Sequence, residues 1–198
     1  MGIFDNAKEE YDKGKSNKIL ENEIIELSGE LSKRYKELKE SPSYLKAKNE
    51  EVQEAVAEFK KYFSERNFDL SKDKDKFKAF AGEIKAELEI SKELELILRV
   101  YRGNEIITAN TLFLEDKQAM KPNFQGMVFE EKIHLFNKYS NEQEAYKMAM
   151  RDIKSDLEEV IRKINENYTP VFQYYDEKED EKYDKIVDLL EKINSNIS

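Results

Sequence analysis

Over residues 84–115 the apolar side chains change their spacing from that of a helix to that of a strand, and this switch constrains the fold more than any other feature. Leu94, Leu96, Leu98 and Val100 alternate with Glu95, Ile97 and Arg99. A half-buried strand requires this period of two, because successive side chains leave a pleated backbone on opposite faces. After Arg102-Gly103-Asn104 comes EIITANTLFLE, rich in Ile, Thr, Leu and Phe. Strand formers on both sides of a Gly-Asn pair predict a tight hairpin in which Gly103 and Asn104 take positive φ, with residues 94–101 and 105–114 paired antiparallel. Residues 83–90 stay open between two readings. Ile84, Ala86, Leu88 and Ile90 alternate as in a strand, whereas Phe77, Phe80, Ala81, Ile84 and Leu88 form a helical stripe.

The first third of the chain has helical spacing. Leu20, Ile24, Leu27, Leu31 and Leu38, with Tyr35 beside them, form a heptad-like seam, and Leu45, Val52, Val56, Phe59 and Phe63 form a second. Pro42 separates the two, since it cannot continue a helix and disfavours helical geometry at Ser41. So short a break predicts an antiparallel helical hairpin. Its arms span about 30 Å each at ~1.5 Å per residue, and their narrow seams must dock on the rest of the chain, on a second copy or on a partner. Upstream, Asn6 with Glu9 fits a capping box and Gly14 fits a helix terminus, which predicts a short first helix over residues 6–13.

The polar stretch SKDKDK, residues 71–76, reads as a loop or the start of the next element, and KPNFQG as a loop. Residues 127–136 fit a strand or a helical turn. Ser140 with Gln143 caps a helix whose face is Tyr146, Met150, Ile153, Leu157, Val160 and Ile164. Thr169 and Pro170 end it, and a last helix carries Tyr183, Ile186, Leu190 and Ile193 on one side. The expected fold class is α+β, mainly α: an antiparallel helical hairpin plus a small antiparallel β-sheet at about residues 94–114, packed with C-terminal helices. Residues 1–66 make the N-terminal helix and hairpin and 75–198 a mixed body, an arrangement that also fits one continuous domain.

Two segments, ELSKRYKELKESPSYLKAK and EIKAELEISKEL, resemble helical segments of the competence-regulating YlbF/YmcA-type bacterial proteins, small helical proteins that act through protein contacts. The resemblance covers about a third of the chain. It implies helices at both segments and function by protein contact. The chain departs from that pattern in its period-two middle and its C-terminal third.

Charge and composition exclude several function classes. With 43 acids against 34 bases the formal charge is -9, which opposes direct binding to nucleic acid or to anionic membranes. The acidity is greater after residue 100, with 20 acids against 14 bases. The chain has no cysteine, which removes disulfides, thiolate catalysis and sulfur-ligated metals. No apolar run approaches the roughly 20 residues that span a bilayer. The N-terminus carries acids where a signal peptide needs bases, so a cytoplasmic location is expected.

No segment carries a complete catalytic motif. DKGKS, residues 12–16, matches the end of a phosphate-binding loop, but the motif's first glycine is replaced by Glu9, whose carboxylate would repel the ligand. Asp73 and Asp75 match the first two ligands of a calcium loop, yet Phe77 takes the third position and no glycine follows at the sixth. His134 is the only histidine; Glu130 and Glu131 stand near it without a recognisable nucleophile, which favours a structural histidine. Adjacent carboxylates such as Glu50 with Glu51 and Glu158 with Glu159 read as surface charge beside basic neighbours. No catalytic, cofactor-binding or metal residue is assigned, and no cofactor is expected.

The tract YTPVFQYYDEKEDEKYDK combines aromatics with an excess of acids. One reading is an aromatic tether followed by a helix start whose dipole favours acids. The other is a docking surface for a basic partner, made of Tyr174, Tyr175, Asp176, Glu177, Glu179, Asp180, Glu181 and Asp184. The expectation is therefore a non-enzymatic protein-binding protein, an adaptor or regulator whose partner has a basic surface, with a homo-oligomer through the helical hairpin also open. The first alternative is an acidic inhibitor that mimics nucleic acid and blocks a DNA- or RNA-binding enzyme, of the phage or mobile-element anti-defence type. The second is a carboxylate- or metal-dependent enzyme.

Overall fold

The structure, a computed structural model, describes residues 3–118 and 142–197. Among these are four helices, α1 (Ile3–Lys39), α2 (Pro42–Ser64), α3 (Glu142–Asn165) and α4 (Ile186–Ile197). The same residues contain seven strands: β1 (Asp69–Asp73), β2 (Lys76–Ala81), β3 (Ile84–Ile90), β4 (Leu96–Arg102), β5 (Glu105–Asp116), β6 (Phe172–Asp176) and β7 (Glu181–Tyr183). The fold is α+β, and its sheet is far larger than the expected hairpin. The chain forms two compact units, Met1–Ser41 with Met120–Tyr168, and Pro42–Ala119 with Thr169–Ser198. This divides the chain differently from 1–66 and 75–198. No described helix is long and apolar enough to cross a membrane.

In the helical unit α1 packs along α3. The seam read from the sequence is the buried face of α1: Ile24, Leu31, Tyr35 and Leu38 are buried and Leu20 and Leu27 half-buried. From α3, Ala145, Tyr146, Ala149, Ile153 and Val160 are buried. Two alanines on that face let the helix backbones approach, which a wider stripe of large side chains would prevent. Gln143 Nε2 donates to Ser16 Oγ at 2.9 Å and ties the start of α3 to α1. Helix α3 ends as Asn167 turns left-handed with φ 51 and the Tyr168 amide donates to the Lys163 carbonyl at 3.0 Å.

Helix α1 is unbroken across Gly14, so the expected helix stop there is wrong. A lone glycine inside a helix costs only about 1 kcal/mol relative to alanine, which the packed turns on its C-terminal side outweigh. The Ser140 cap, residues 127–136, the KPNFQG loop, His134, Glu130 and Glu131 lie outside the described residues.

In the sheet unit the strands follow chain order, β1 to β7, all antiparallel. Neighbours β5 and β6 are nevertheless far apart in sequence, because the stretch that contributes α3 to the helical unit is inserted between them. Helices α2 and α4 share one hydrophobic core with the sheet: Val52, Phe59 and Phe63 of α2 and Ile186, Leu189 and Leu190 of α4 meet Leu88, Leu98, Leu112 and Tyr174. Alternation decides which strand residues join it. In β4, Leu96, Leu98 and Val100 point into the core, while Ile97, Arg99 and Tyr101 are only half-buried. On that second face Arg99 pairs with Glu89 at 2.7 Å and Lys76 with Glu89 at 3.1 Å. These partners hold the Glu89 carboxyl below its ordinary range, chiefly through the Arg99 hydrogen bond.

The hairpin of β4 and β5 forms at the expected turn, with Arg102 opposite Glu105, but its first strand begins at Leu96 rather than Leu94, which lies in the preceding loop with φ 61. Gly103 has φ 59, but Asn104 has no positive φ. A left-handed first position alone is the type II′ pattern, which matches the strand twist as well as the expected doubly left-handed turn does. Of residues 83–90, Ile84–Ile90 form a strand bonded on both sides and Glu83 lies in the turn before it. EIKAELEISKEL is thus strand and loop rather than the helix implied by the family resemblance. SKDKDK is no loop either: it ends β1, supplies the turn at Lys74 (φ 55) and Asp75, and begins β2. All five residues of β1 are exposed, so no burial pattern marks it in the sequence.

Each seam of the expected helical hairpin is buried within its own unit, that of α1 by α3 and that of α2 by the sheet. Val52, Val56, Phe59 and Phe63 are buried as read, but Leu45 is 44% exposed. Its neighbour Tyr44 takes the core position, edge-on to the Phe172 ring at 5.5 Å. Burial pushes the Tyr44 phenol up to about 12, with the charge of Asp116 adding to the effect.

Candidate functional site

The aromatic and acidic tract forms β6, a four-residue turn and β7 at the end of the sheet. Strand periodicity sorts the eight candidate residues. Phe172, Tyr174 and Asp176 face the core, and Gln173 and Tyr175 the other side. Tyr174 and Asp176 are 1% and 0% exposed, so neither can be part of a docking surface, contrary to expectation. Tyr175 is half-buried, and Glu177, Glu179, Asp180, Glu181 and Asp184 are exposed.

The two buried residues are structural. Tyr174 Oη donates to Glu51 Oε1 on α2 at 2.7 Å, and burial, reinforced by that bond, raises its phenol far above the ordinary value. Asp176 accepts from Asn110 Nδ2 and, at 3.1 Å, from the Lys178 amide. Thr108 Oγ1 in turn donates to Asn110 Oδ1 at 2.9 Å. Here a carboxylate inside the sheet core is held by neutral donors, and the Lys178 bond shapes the turn that follows.

Most of the exposed acids are held by nearby bases or hydroxyls. Lys192 Nζ lies 2.7 Å from Glu181 and 3.9 Å from Glu179, and Lys117 lies 2.7 Å from Asp184. Tyr183 Oη donates to Glu181 at 2.6 Å, and Tyr175 Oη to Asp180 at 3.0 Å. Burial, with the Glu181 bond adding, pushes the Tyr183 phenol up to about 12. The Lys192 and Tyr183 bonds keep the Glu181 carboxyl below its usual range. Glu177 makes no ion pair among the described residues. The net field of the hairpin is thus weaker than its sequence suggests, and Asp180, Glu181 and Asp184 are held in place by short bonds.

A feature missed by the sequence lies elsewhere in the sheet unit. A cavity of about 230 Å³ sits among the last turn of α2, the start of β3, the end of β4 and the last turns of α4, lined in part by Tyr62, Arg66, Ile84, Ala86, Arg102 and Ile193. The one available signal was Arg102: the alternation that sends Leu98 and Val100 inward puts a charged residue next on the same face. Tyr62 gives no signal in the sequence because it lies beside the Phe59 and Phe63 seam rather than on it.

Among the described residues no group of three or more His, Cys, Asp or Glu side chains could hold a metal ion. Asp73 ends β1 and Asp75 lies in the adjoining turn. Lys15 and Ser16, the end of the phosphate-loop match, lie inside α1, where no glycine-rich turn can form. In comparisons with known proteins the chain matches no family model, no curated protein and no solved structure.

Proposed function

We propose that the chain is a non-enzymatic protein-binding protein, an adaptor or regulator, and that the turn and edge strand after β6 meet a basic surface on its partner. The observation that supports this reading is the exposure of Glu177, Glu179 and Asp180 together on one closed turn. The three acids are exposed in a turn closed by strand pairing and by the Tyr175–Asp180 and Asp176–Lys178 bonds. A closed turn loses little backbone entropy on association, and its clustered acids steer a cationic partner toward one orientation. Tyr175 adds aromatic contact area beside them.

Removing residues 173–184 would not test this, because it would delete the buried Tyr174 and Asp176 and both strands with them. The informative variant is Glu177→Lys with Glu179→Lys, which changes only exposed side chains and leaves the Tyr175–Asp180 bond that closes the turn in place. Partners captured by the wild-type chain from its native cell should be lost with this variant, while the circular dichroism of the chain stays unchanged. Equal capture by both forms would overturn the assignment. Competition of the captured partner by DNA or RNA would move the reading to the nucleic-acid-mimicking inhibitor.

A further inference from the structure

We infer that the cavity between α2, β3, β4 and α4 is a binding site for a small apolar monocarboxylate. The site is separate from the acidic turn and does not depend on the role proposed for that turn. Its walls are mainly aliphatic and aromatic, with Phe63, Phe68, Ile84, Val100, Leu190 and Ile193 among them. A dry cavity of roughly 150 Å³ accommodates benzene. At about 230 Å³, this one has room for a body of on the order of ten non-hydrogen atoms. The space exists because Ala86, fully buried, stands where the next inward position of β3 carries Leu88.

Two polar groups at this cavity have unused capacity. Tyr62 is 5% exposed, and among the described residues its buried hydroxyl has no acceptor at direct hydrogen-bond distance, although the Glu191 carboxylate lies near enough to compete for it. Leaving such a donor unsatisfied is unfavourable, and an acceptor on a ligand would relieve it. Burial pushes the Tyr62 phenol up, with Arg66 opposing and Glu191 adding both by its charge and as a competing acceptor, so the group is a neutral O–H donor for which a ligand must outcompete Glu191. The second group is Arg102. It sits opposite Ile84 in the register, on the core side of the sheet's end, is exposed, and makes no ion pair among the described residues.

Arg66, the other guanidinium, is already committed. It pairs with Glu191 at 2.7 Å, donates to the Tyr62 carbonyl at 3.0 Å and stacks on the Tyr62 ring at 3.6 Å. It thereby caps the C-terminal end of α2 and forms a fixed wall. The C-terminal ends of α2 and α4 both lie near the cavity and carry partial negative charge, which disfavours a multiply charged anion. One free guanidinium, a neutral phenol donor and an apolar interior select a single carboxylate on a hydrocarbon body, since the guanidinium fork matches carboxylate geometry.

Octanoate, octan-1-ol and octylamine, titrated separately into the full chain and followed by calorimetry and methyl shifts, test this directly. Octanoate should bind most tightly and octylamine least, with shifts at Ile84, Val100 and Ile193. Arg102→Gln should weaken octanoate by about tenfold and remove its advantage over octan-1-ol. Tyr62→Phe should weaken both by about threefold or more. Arg102 is exposed, so its variant reads binding without threatening the fold. The charge-reversed acidic turn should bind octanoate like the wild type, which separates failure here from failure of the partner-binding reading. No octanoate binding, equal binding of octylamine, or octanoate binding unchanged in both variants would overturn the site.

Discussion

In the helical unit a charged chain buries one narrow stripe of each helix against the other; in the sheet unit two helices and seven strands close around a shared core. The helical unit takes its two helices from stretches separated by most of the sheet, yet each helix is regular and its buried stripe repeats at helical spacing. The sheet unit takes neighbouring strands largely in chain order, with hairpins of two to five loop residues joining all but β5 and β6. Local regularity and local pairing are therefore separate properties. The helical unit has the first and depends on distant pairing, whereas the sheet unit gains much of its order from strands that are near in sequence.

Core truncations provide the strongest test of this contrast. Phe59→Ala removes a fully buried ring of the sheet unit and should cost about 3–5 kcal/mol, and Ile153→Ala, fully buried in the helical unit, about 2–5 kcal/mol. Hydrogen exchange should show the largest loss of protection in the unit that carries the substitution. Equal loss in both units for either variant would mean that the division has no energetic counterpart.

Next in size is the buried polar chain of the sheet unit. Asn110→Leu takes a donor from buried Asp176 and should cost about 2–3 kcal/mol in urea unfolding, because a desolvated carboxylate is left with the Lys178 amide and without its side-chain donor. A cost below half a kcal/mol would show that Asp176 finds another donor or solvent.

Alkaline pH should also act through the sheet unit. Tyr44 and Tyr183 both ionise at about 12 in the folded chain, against about 10 for an unfolded tyrosine. Between these values the unfolded state releases protons that the folded state keeps, so stability is intact below about pH 10 and falls as pH rises toward 12. The urea midpoint should drop between pH 9 and 11, and Tyr44→Phe should make that drop shallower. A midpoint that rises over the interval would contradict the burial of both rings.

The smallest pair of effects concerns one glycine from each unit. Gly14, inside α1 with open space where a Cβ would stand, should tolerate alanine with a gain of up to about 1 kcal/mol. Gly103, held at φ 59 in the turn between β4 and β5, should lose about 1 kcal/mol on the same change. Thermal melts of the two variants should shift in opposite directions.

The candidate sites differ in how far they could be read. The acidic turn is visible as composition, but the burial of Tyr174 and Asp176 is not, because charge and aromatic content carry no face information and only the period of two along β6 sorts its side chains. The cavity left almost no trace, since Tyr62, Arg66, Ala86 and Arg102 are unremarkable in their own segments and become a site only where four elements converge.

What the sequence determined by itself was local: the heptad seams of α1 and α2, the hairpin at Gly103, the helical face of α3 and the break near Pro170. Each depends on spacing within one element or on the conformational limits of single residues, which are properties of the chain before it folds. Tertiary structure decided the rest. It chose α3 for the seam of α1 and the sheet for the seam of α2, extended the sheet through the wholly exposed β1, and set β6 beside β5 across the inserted helical stretch. Those choices depend on complementarity between surfaces far apart in sequence, and an apolar stripe is compatible with many partners until the whole chain selects one.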